Sequence, residues 1–559
     1  MASVAIVGAG PVGMTAAALL AARDVDVIVL EARETTSADP KAISIDDESL
    51  RTYADAGIDR EILRIVSPGT GTKYFGRRGQ PLFHARGPVP HRLRYPFKNP
   101  FAQPDLERAL AGVLRSNPRV SLRFGTRVAG VASGDEGVRL ALAGGEVFTV
   151  RYVIGADGGR STVRESMGIS MSGRTYDDPW LVADTLGDPH RQMYGMHLGI
   201  PERPTVIIPG KDGRCRYEFR LFPGEGLPGE QPSEELIVKL LAPHREISSV
   251  AVERAVIYKF NGLVADAWRA GNVFLAGDAA HMMPPFAGQG LNSGVRDVAN
   301  LCWKLAEVIH GRLADAALDS YQDERRPHAM ASVRLSEKLG RVVMATSTRM
   351  AESRDRIIGA ALATPEGRAF FEQMRYRPPL AITNGLVHAI HEAPGIIGHH
   401  ILQPRGFDLA ASEIRYLDQV TGYGWTVLGV GVTAAGWREA ATLTATLRGA
   451  AVHVCADDTL PGAVPDGVSV FADVDGMINA DFGPLRGHFL LVRPDHVVAA
   501  AWRPGGAAAV ESAVAEWTQA ADEGLAGSGA GQSLLRSDGG VKPLGVRPRT
   551  VEGEGDAHG

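Results

Sequence analysis

Three glycine-rich turns and one charged strand hold the residues of this sequence that can do chemistry. The first turn, Gly8-Ala9-Gly10-Pro11-Val12-Gly13, follows the apolar run Val4–Val7 and opens a helical pattern. In such a turn Gly8 permits the tight bend, Gly10 lets backbone approach a pyrophosphate, and Gly13 lets the helix pack closely on the strand. Pro11 sits in the first helical turn without wasting a hydrogen bond, because N–H groups there lack partners inside the helix. The exposed amides, Val12 among them, and the positive helix end attract phosphate. Glu31, followed by Ala32, closes the next β-branched run, Val25–Leu30, where a carboxylate can accept from both ribose hydroxyls of an adenosine. The turn suits an adenine dinucleotide and does not separate FAD from NAD.

Two later turns make that distinction. Val153–Arg164 is an apolar strand ending in Asp157-Gly158, with Ser161 and Arg164 following. Val273–Asn292 is a second strand with an acidic tip, Gly277-Asp278, then His281, the pair Pro284-Pro285, and Gly288-Gln289-Gly290-Leu291-Asn292 opening a helix. A carboxylate beside glycine at a strand end accepts from polyol hydroxyls, which suits Asp278 to a ribityl chain. Consecutive amides at the helix start can hold a flavin's pyrimidine oxygen and stabilise the negative charge of the reduced ring. The charged strand is Arg216-Tyr217-Glu218-Phe219-Arg220, whose alternation puts Arg216, Glu218 and Arg220 on one face. Glu218 can accept a phenol proton and Arg216 can bind a carboxylate or a nicotinamide phosphate. The bland reading of that strand is a solvated face with a cross-strand ion pair. For His281 and His197 it is a core histidine, and for Cys302 a buried inert thiol.

With these motifs the sequence resembles the class A flavoprotein monooxygenases, which include para-hydroxybenzoate hydroxylase and phenol hydroxylase. The resemblance spans about residues 3 to 345, and the stretches Ala42–Arg51, Gly277–Leu305 and Tyr321–Ala329 look closest to (3-hydroxyphenyl)propionate hydroxylases. It implies FAD, NADH or NADPH as reductant, and hydroxylation of a small aromatic or polyketide substrate by dioxygen through a C4a-hydroperoxyflavin; because no cysteine or histidine occupies an obvious attachment motif near the flavin loop, the FAD is expected to be noncovalent. It implies further that the Gly8 loop, Glu31 and Arg33 bind the ADP half, that Gln103 and Val128 touch the cofactor, and that Asp157 serves both FAD and nicotinamide. By the same resemblance Pro285 faces the flavin ring, and Lys41 stands where the family more often has arginine.

The elements that must position these residues follow from pattern. The fold class is α/β: a Rossmann-like FAD-binding domain with an inserted β-sheet substrate domain, plus a C-terminal unit that resembles the thioredoxin-like domain of phenol hydroxylase. The expected boundaries are 1–175 and 265–395 for the FAD-binding domain and its helical connection, 176–264 for the inserted sheet, 396–520 for the C-terminal domain and 521–559 for a mobile tail. The apolar stretch Val147–Ile154 reads as one strand, and Leu291 to about His310 as a helix. Without CxxC the C-terminal unit has no disulfide chemistry and reads as structural, a place for the interface of a homodimer.

The chain's 559 residues correspond to about three to four units at about 150 residues each. A net charge of −5 gives no basic surface for nucleic acid, and no apolar run approaches the roughly 20 residues that cross a bilayer. Three cysteines, no signal sequence and no metal constellation fit a cytoplasmic enzyme. Two other readings stay open. One is a Baeyer–Villiger or epoxidising relative acting on a ketone, quinone or polyketide; the other is a non-catalytic dinucleotide-binding protein. A flavin halogenase is set aside because none of the seven tryptophans lies two residues from another.

Overall fold

The computed structural model describes residues 2–134, 136–190, 192–247, 251–388, 395–456 and 464–518. The tail expected from residue 521 lies outside the described residues. Val4–Val7 occupies the middle of a six-stranded sheet because it is apolar at every position and buried on both faces. Val27–Leu30 and then Val120–Arg123 lie on one side of it, and Tyr152–Gly155, Val273–Leu275 and Arg269–Ala270 on the other. All neighbours are parallel except the last pair. Register brings Val7, Leu30, Gly155 and Leu275 level, so the Gly8, Glu31, Asp157 and Asp278 segments leave one edge of the sheet together. Chain order reverses about the first strand, which opens a crevice at that edge.

The helix Pro11–Ala21 has Gly10 as its N-cap and packs on Gly290–Ile309. Val147–Ile154 is not one strand. Val147–Val150 closes a three-stranded meander with Val128–Gly134 and Gly137–Leu142, and Tyr152–Gly155 enters the parallel sheet. Arg151 falls between them, and its exposed side chain is where the chain crosses from one layer to the other.

A seven-stranded sheet stands over the crevice, in the order Ala251–Tyr258, Trp180–Leu186, Cys215–Arg220, Thr205–Pro209, Gly195–Leu198, Thr72–Phe75, Pro81–Ala85. The expected insert supplies five of these strands. Thr72–Phe75 and Pro81–Ala85 come from the preceding segment, joined through a parallel pairing with Gly195–Leu198. Leu181, Ala183, Ile207, Tyr217 and Phe219 bury one face against the helix Glu234–Leu241. The opposite face looks toward the flavin-type turns.

At the C-terminal end Thr426–Val430, Ala450–Cys455 and Val468–Asp473 run parallel, and Thr426–Val430 continues antiparallel into the hairpin His488–Val492 and Val498–Trp502. Helices Ala434–Thr446 and Ala507–Thr518 pack together beside this sheet. Its core meets the first domain at Trp303, whose ring lies edge-on to Trp425 at 5.4 Å. Among the described residues no helix is long and apolar enough to cross a membrane.

Candidate active site

A cavity of about 630 Å³ runs along the crevice from Glu31, Ala32 and Arg33 to Pro285, Gly288, Gly290 and Leu291. That volume is in the range of small-molecule and cofactor sites. Gly8, Gly10, Pro11, Val12, Lys41, Gln103, Val128, Asp157, Gly158, Asp278, Arg216 and Glu218 also line it. Residues drawn from positions 8 to 291 therefore meet in one space.

The nucleotide turn is built by close approach. Gly8 has φ +103°, and a Cβ there would stand 2.4 Å from the Ala156 carbonyl oxygen; one on Gly13 would stand 2.0 Å from the Gly8 carbonyl oxygen. Gly13 thus underlies the cavity as a packing residue, while the space above Gly10 is open. The Glu31 carboxylate accepts from the Ala9 amide at 2.8 Å and from the Arg33 amide and Nε at 3.0 and 2.9 Å. Burial raises its pKa, but these donors outweigh burial and leave it below the usual range. Gln103 donates to Glu107 and accepts from the Ala42 amide, so it fixes the segment that carries Lys41.

Two carboxylates wait for donors in the middle of the cavity. Asp157 Oδ2 accepts from the Val163 amide at 3.1 Å, whereas its buried Oδ1 has no partner. Asp278 exposes its side chain, and the surface it exposes is cavity wall; loss of bulk water raises its pKa against the pull of His281 and Lys41. An orphaned buried carboxylate oxygen and a second carboxylate in a glycine cradle fit the ribose and polyol hydroxyls of a flavin dinucleotide.

His281, Gln289, Asn292 and Gly277 stand behind the wall rather than on it. His281 is fully buried, with Nε2 2.7 Å from Asp297 Oδ2, which also accepts from the Gly277 amide at 3.1 Å. The histidine takes the core role. Asn292 donates to the Gly288 and Ser44 carbonyls and accepts from the Asp46 amide, and Gln289 accepts from Arg296 and Arg377. These side chains hold the Gly288 loop in place.

On the seven-stranded sheet the charged strand is buried, not solvated: Arg216 is 4% and Glu218 5% exposed. Arg216 nonetheless makes a cross-strand ion pair with Asp184. No described residue donates a hydrogen bond to Glu218, whose pKa burial raises while Arg216 and Lys98 oppose it. Register sets Phe83, Tyr74, His197, Val206, Glu218 and Val182 in one row across the face. Trp180, Phe260 and Phe286 pack at 5.1 to 5.9 Å beside it, as part of an apolar, aromatic cluster. Lys98 and Thr72 were not legible as site residues from their types. The available signal was that Phe97-Lys98-Asn99-Pro100 shortly precedes Gln103. Cys302 is buried, its Sγ 3.7 Å from the Ala16 carbonyl oxygen, and burial pushes its pKa up to about 12. Among the described residues no group of three or more metal-ligating side chains is gathered.

Known proteins share this arrangement. The family described as FAD binding domain matches residues 1–336, and the one described as HcaD C-terminal domain matches 398–517. A 3-(3-hydroxy-phenyl)propionate/3-hydroxycinnamic acid hydroxylase of Mycolicibacterium gilvum is 36% identical over 509 residues, covering 89% of this chain and 88% of the relative. One from Burkholderia vietnamiensis is 35% identical over 527 residues, covering 91% and 95%. Among solved structures, the flavin-dependent monooxygenase PieE in complex with FAD and substrate superposes with TM-score 0.77 at 20% identity, covering 93% of this chain and 99% of that one. Aklavinone-11 hydroxylase with FAD and aklavinone gives 0.72 at 24%, covering 93% and 99%.

Proposed function

The chain belongs to the FAD-binding family of class A flavoprotein monooxygenases, and from that premise we propose that it hydroxylates a small phenolic substrate. The substrate lies between the Gly288 loop and the Glu218 face of the seven-stranded sheet. NADH or NADPH is the reductant and dioxygen supplies the inserted oxygen, with water and the oxidised nicotinamide as by-products. The observation that carries the reading is Glu218, a buried carboxylate without a hydrogen-bond donor, lining the same cavity as the nucleotide turn. Its chemistry suits a phenol, and the Mycolicibacterium and Burkholderia relatives are named for hydroxyphenyl substrates.

Bound FAD supplies the redox chemistry, accepting hydride from the nicotinamide and activating dioxygen. The chain's own residues hold, orient and dry the site. Gly8, Gly10, Pro11, Val12, Glu31 to Arg33, Lys41, Gln103 and Val128 line the part of the cavity assigned to the ADP half. Asp157 and Asp278 would accept from the ribose and polyol hydroxyls of bound FAD, and the amides of Gly288, Gly290 and Leu291 would hold its ring end. Gly13, Gly277, His281, Gln289 and Asn292 brace these turns from behind. Glu218 takes the phenolic proton: the substrate O–H bond breaks, an O–H bond forms on the carboxylate, and the phenolate left behind is the more electron-rich ring. Phe286, Trp180 and Phe260 keep water from it.

The domain reading assigns 1–175 and 265–395 to FAD, 176–264 to the substrate sheet and 396–520 to a thioredoxin-like unit. The last is supported by the order Ala450–Cys455, Thr426–Val430, His488–Val492, Val498–Trp502, with one parallel and two antiparallel pairings. A homodimer through this unit is supported by Phe407 and Ile414, exposed partners on its edge hairpin. Three buried cysteines suit a reducing cytoplasm. The decisive assay follows NAD(P)H consumption across phenols, phenylpropionates and aromatic polyketides under oxygen-18 dioxygen. A labelled hydroxyl ortho to an existing one is the expected product; a labelled ester or lactone from a ketone establishes the Baeyer–Villiger reaction instead.

A further inference from the structure

Lys98 begins the short strand Lys98–Pro100, paired antiparallel with Ser44–Asp46, which Asn292 ties to the Gly288 loop. Its Nζ donates to Thr72 Oγ1 at 3.2 Å, and a Cβ on Gly288 would stand 3.9 Å from it. The ammonium therefore sits where the flavin-type loop meets the substrate sheet. Among the described residues Thr72 is its only hydrogen-bond partner, and no carboxylate lies within 4 Å. An ammonium has three donors, and Lys98 is half-buried, so two remain for solvent or a ligand.

A fully buried lysine shows what a structural role looks like. Lys304 reaches Glu324 at 2.8 Å, Asn300 at 2.9 Å and Ser320 at 2.8 Å, which uses all three donors. Lys98 has no such set. Its surroundings hold two further unfilled polar groups, the Glu218 carboxylate and the buried His197 Nδ1. Arg216 already spends three of its five donors on Asp184 and the Lys41 carbonyl, and the Asp184 carboxylate balances its charge.

We infer that Lys98 is the oxyanion receptor of the substrate chamber: its ammonium, between Thr72 and the Gly288 loop, binds a negatively charged oxygen of the aromatic substrate. That oxygen is the phenolate or a side-chain carboxylate, two sources of one chemistry. The inference rests on the hydroxylase reading and deepens it by naming an acidic phenol as the substrate class. Electrostatics agree. Burial pushes the Lys98 pKa down to about 8, with Glu218 the charge that opposes this and Arg377 one that adds to it. Burial and the neighbouring Lys98 hold His197 neutral, its pKa near 3. An incoming anion restores the full ammonium.

The test titrates the holoenzyme with 3-(3-hydroxyphenyl)propionate, its methyl ester and its phenolic methyl ether, following the flavin absorbance change. In Lys98→Met the acid should bind at least about tenfold more weakly, while Lys98→Arg retains most of the affinity. If the ester loses nothing, the carboxylate is the partner; if the ester weakens with the acid and the ether does not, the phenol oxygen is. Flavin content and thermal midpoint are compared in each variant, and Lys98→Gln, which keeps a donor toward Thr72, carries the same comparison if Lys98→Met does not fold. All three probes binding Lys98→Met within about twofold of wild type overturns the inference alone. No flavin perturbation by any probe in the wild type overturns it together with the phenolic-acid reading.

Discussion

Arg216 and Asp184 face each other across adjacent antiparallel strands, and the guanidinium grips the carboxylate at two points, 2.7 and 3.0 Å apart. Its remaining Nη1 donates to the Lys41 carbonyl at 2.5 Å, in the segment that lines the cavity. Arg216 is therefore a positioning residue that links the substrate sheet to the cofactor wall. Arg216→Ala leaves the buried Asp184 with only the more distant Arg254, at 3.9 Å, which should cost up to about 3–5 kcal/mol. Urea unfolding measures that loss, and flavin fluorescence should show weaker cofactor retention. Replacing both residues with apolar ones of similar volume should recover much of the stability without recovering flavin affinity. Recovery of both would assign the arginine a purely structural role.

Glu218→Gln tests the proton acceptor. The amide keeps the shape of the side chain and cannot take a proton, so coupled hydroxylation should fall by about 10²–10⁴. Reduction of flavin by NAD(P)H should change far less, and the difference should appear as hydrogen peroxide. Because burial raises the Glu218 pKa, the working carboxylate is lost as pH falls through a value above the ordinary 4.5. Wild-type coupling should rise with pH through that value, and the Gln variant should lack this limb. Product per NAD(P)H consumed, measured against pH, decides it.

The edge of the parallel sheet was readable because each of its turns is a local signal: a strand, a glycine, an acidic tip. Gly8, Glu31, Asp157 and Asp278 meet as their spacing implied, since parallel register levels the ends of the strands that carry them. The substrate face was only half readable. Alternation put Arg216 and Glu218 on one side, but Asp184 reaches Arg216, Tyr74 joins the row of Glu218, and Thr72 holds Lys98, through contacts between segments distant in sequence that no local pattern encodes. The same limit explains His281 and Asn292. Their types suit a cofactor, and whether they face it or brace it depends on Asp297 and Ser44, residues at the far end of tertiary contacts.

Asp297 is the next residue whose loss should reach the cofactor without touching it. Its Oδ2 holds the Gly277 amide and His281, and its Oδ1 accepts from Arg325 Nη2 at 3.1 Å. Burial raises its pKa, but His281 and Arg325 outweigh burial and bring it below 3.8. A carboxylate with a depressed folded-state pKa adds stability above its unfolded value, and that stability fades as pH falls through the folded one. Asp297→Asn should therefore lower stability at neutral pH by about 3–5 kcal/mol and flatten the loss of stability below pH 3.8. Unfolding midpoints between acid and neutral pH measure both effects, and an acid limb unchanged from wild type would show that Asp297 is not the group titrating there.

The last prediction separates cofactor contact from mere burial. Among the described residues no cysteine or histidine lines the cavity, so FAD should be held noncovalently and appear in the supernatant after acid precipitation. Flavin remaining on the polypeptide would refute that. Asp278 and Cys302 then make a controlled pair. Asp278 lines the cavity, while Cys302 is fully enclosed in the helix Gly290–Ile309 against the Ala16 carbonyl. Asp278→Ala removes an acceptor from the cavity and relieves a carboxylate whose pKa burial raises, so the apoprotein should be no less stable while FAD dissociates more readily. Cys302→Ser places a hydroxyl among apolar side chains, at a cost of about 1–3 kcal/mol to folding and none selective to flavin. Thermal midpoints of apo and FAD-loaded protein should therefore converge in Asp278→Ala and shift down together in Cys302→Ser. An unchanged gap between the two midpoints in Asp278→Ala would remove this carboxylate from the flavin site.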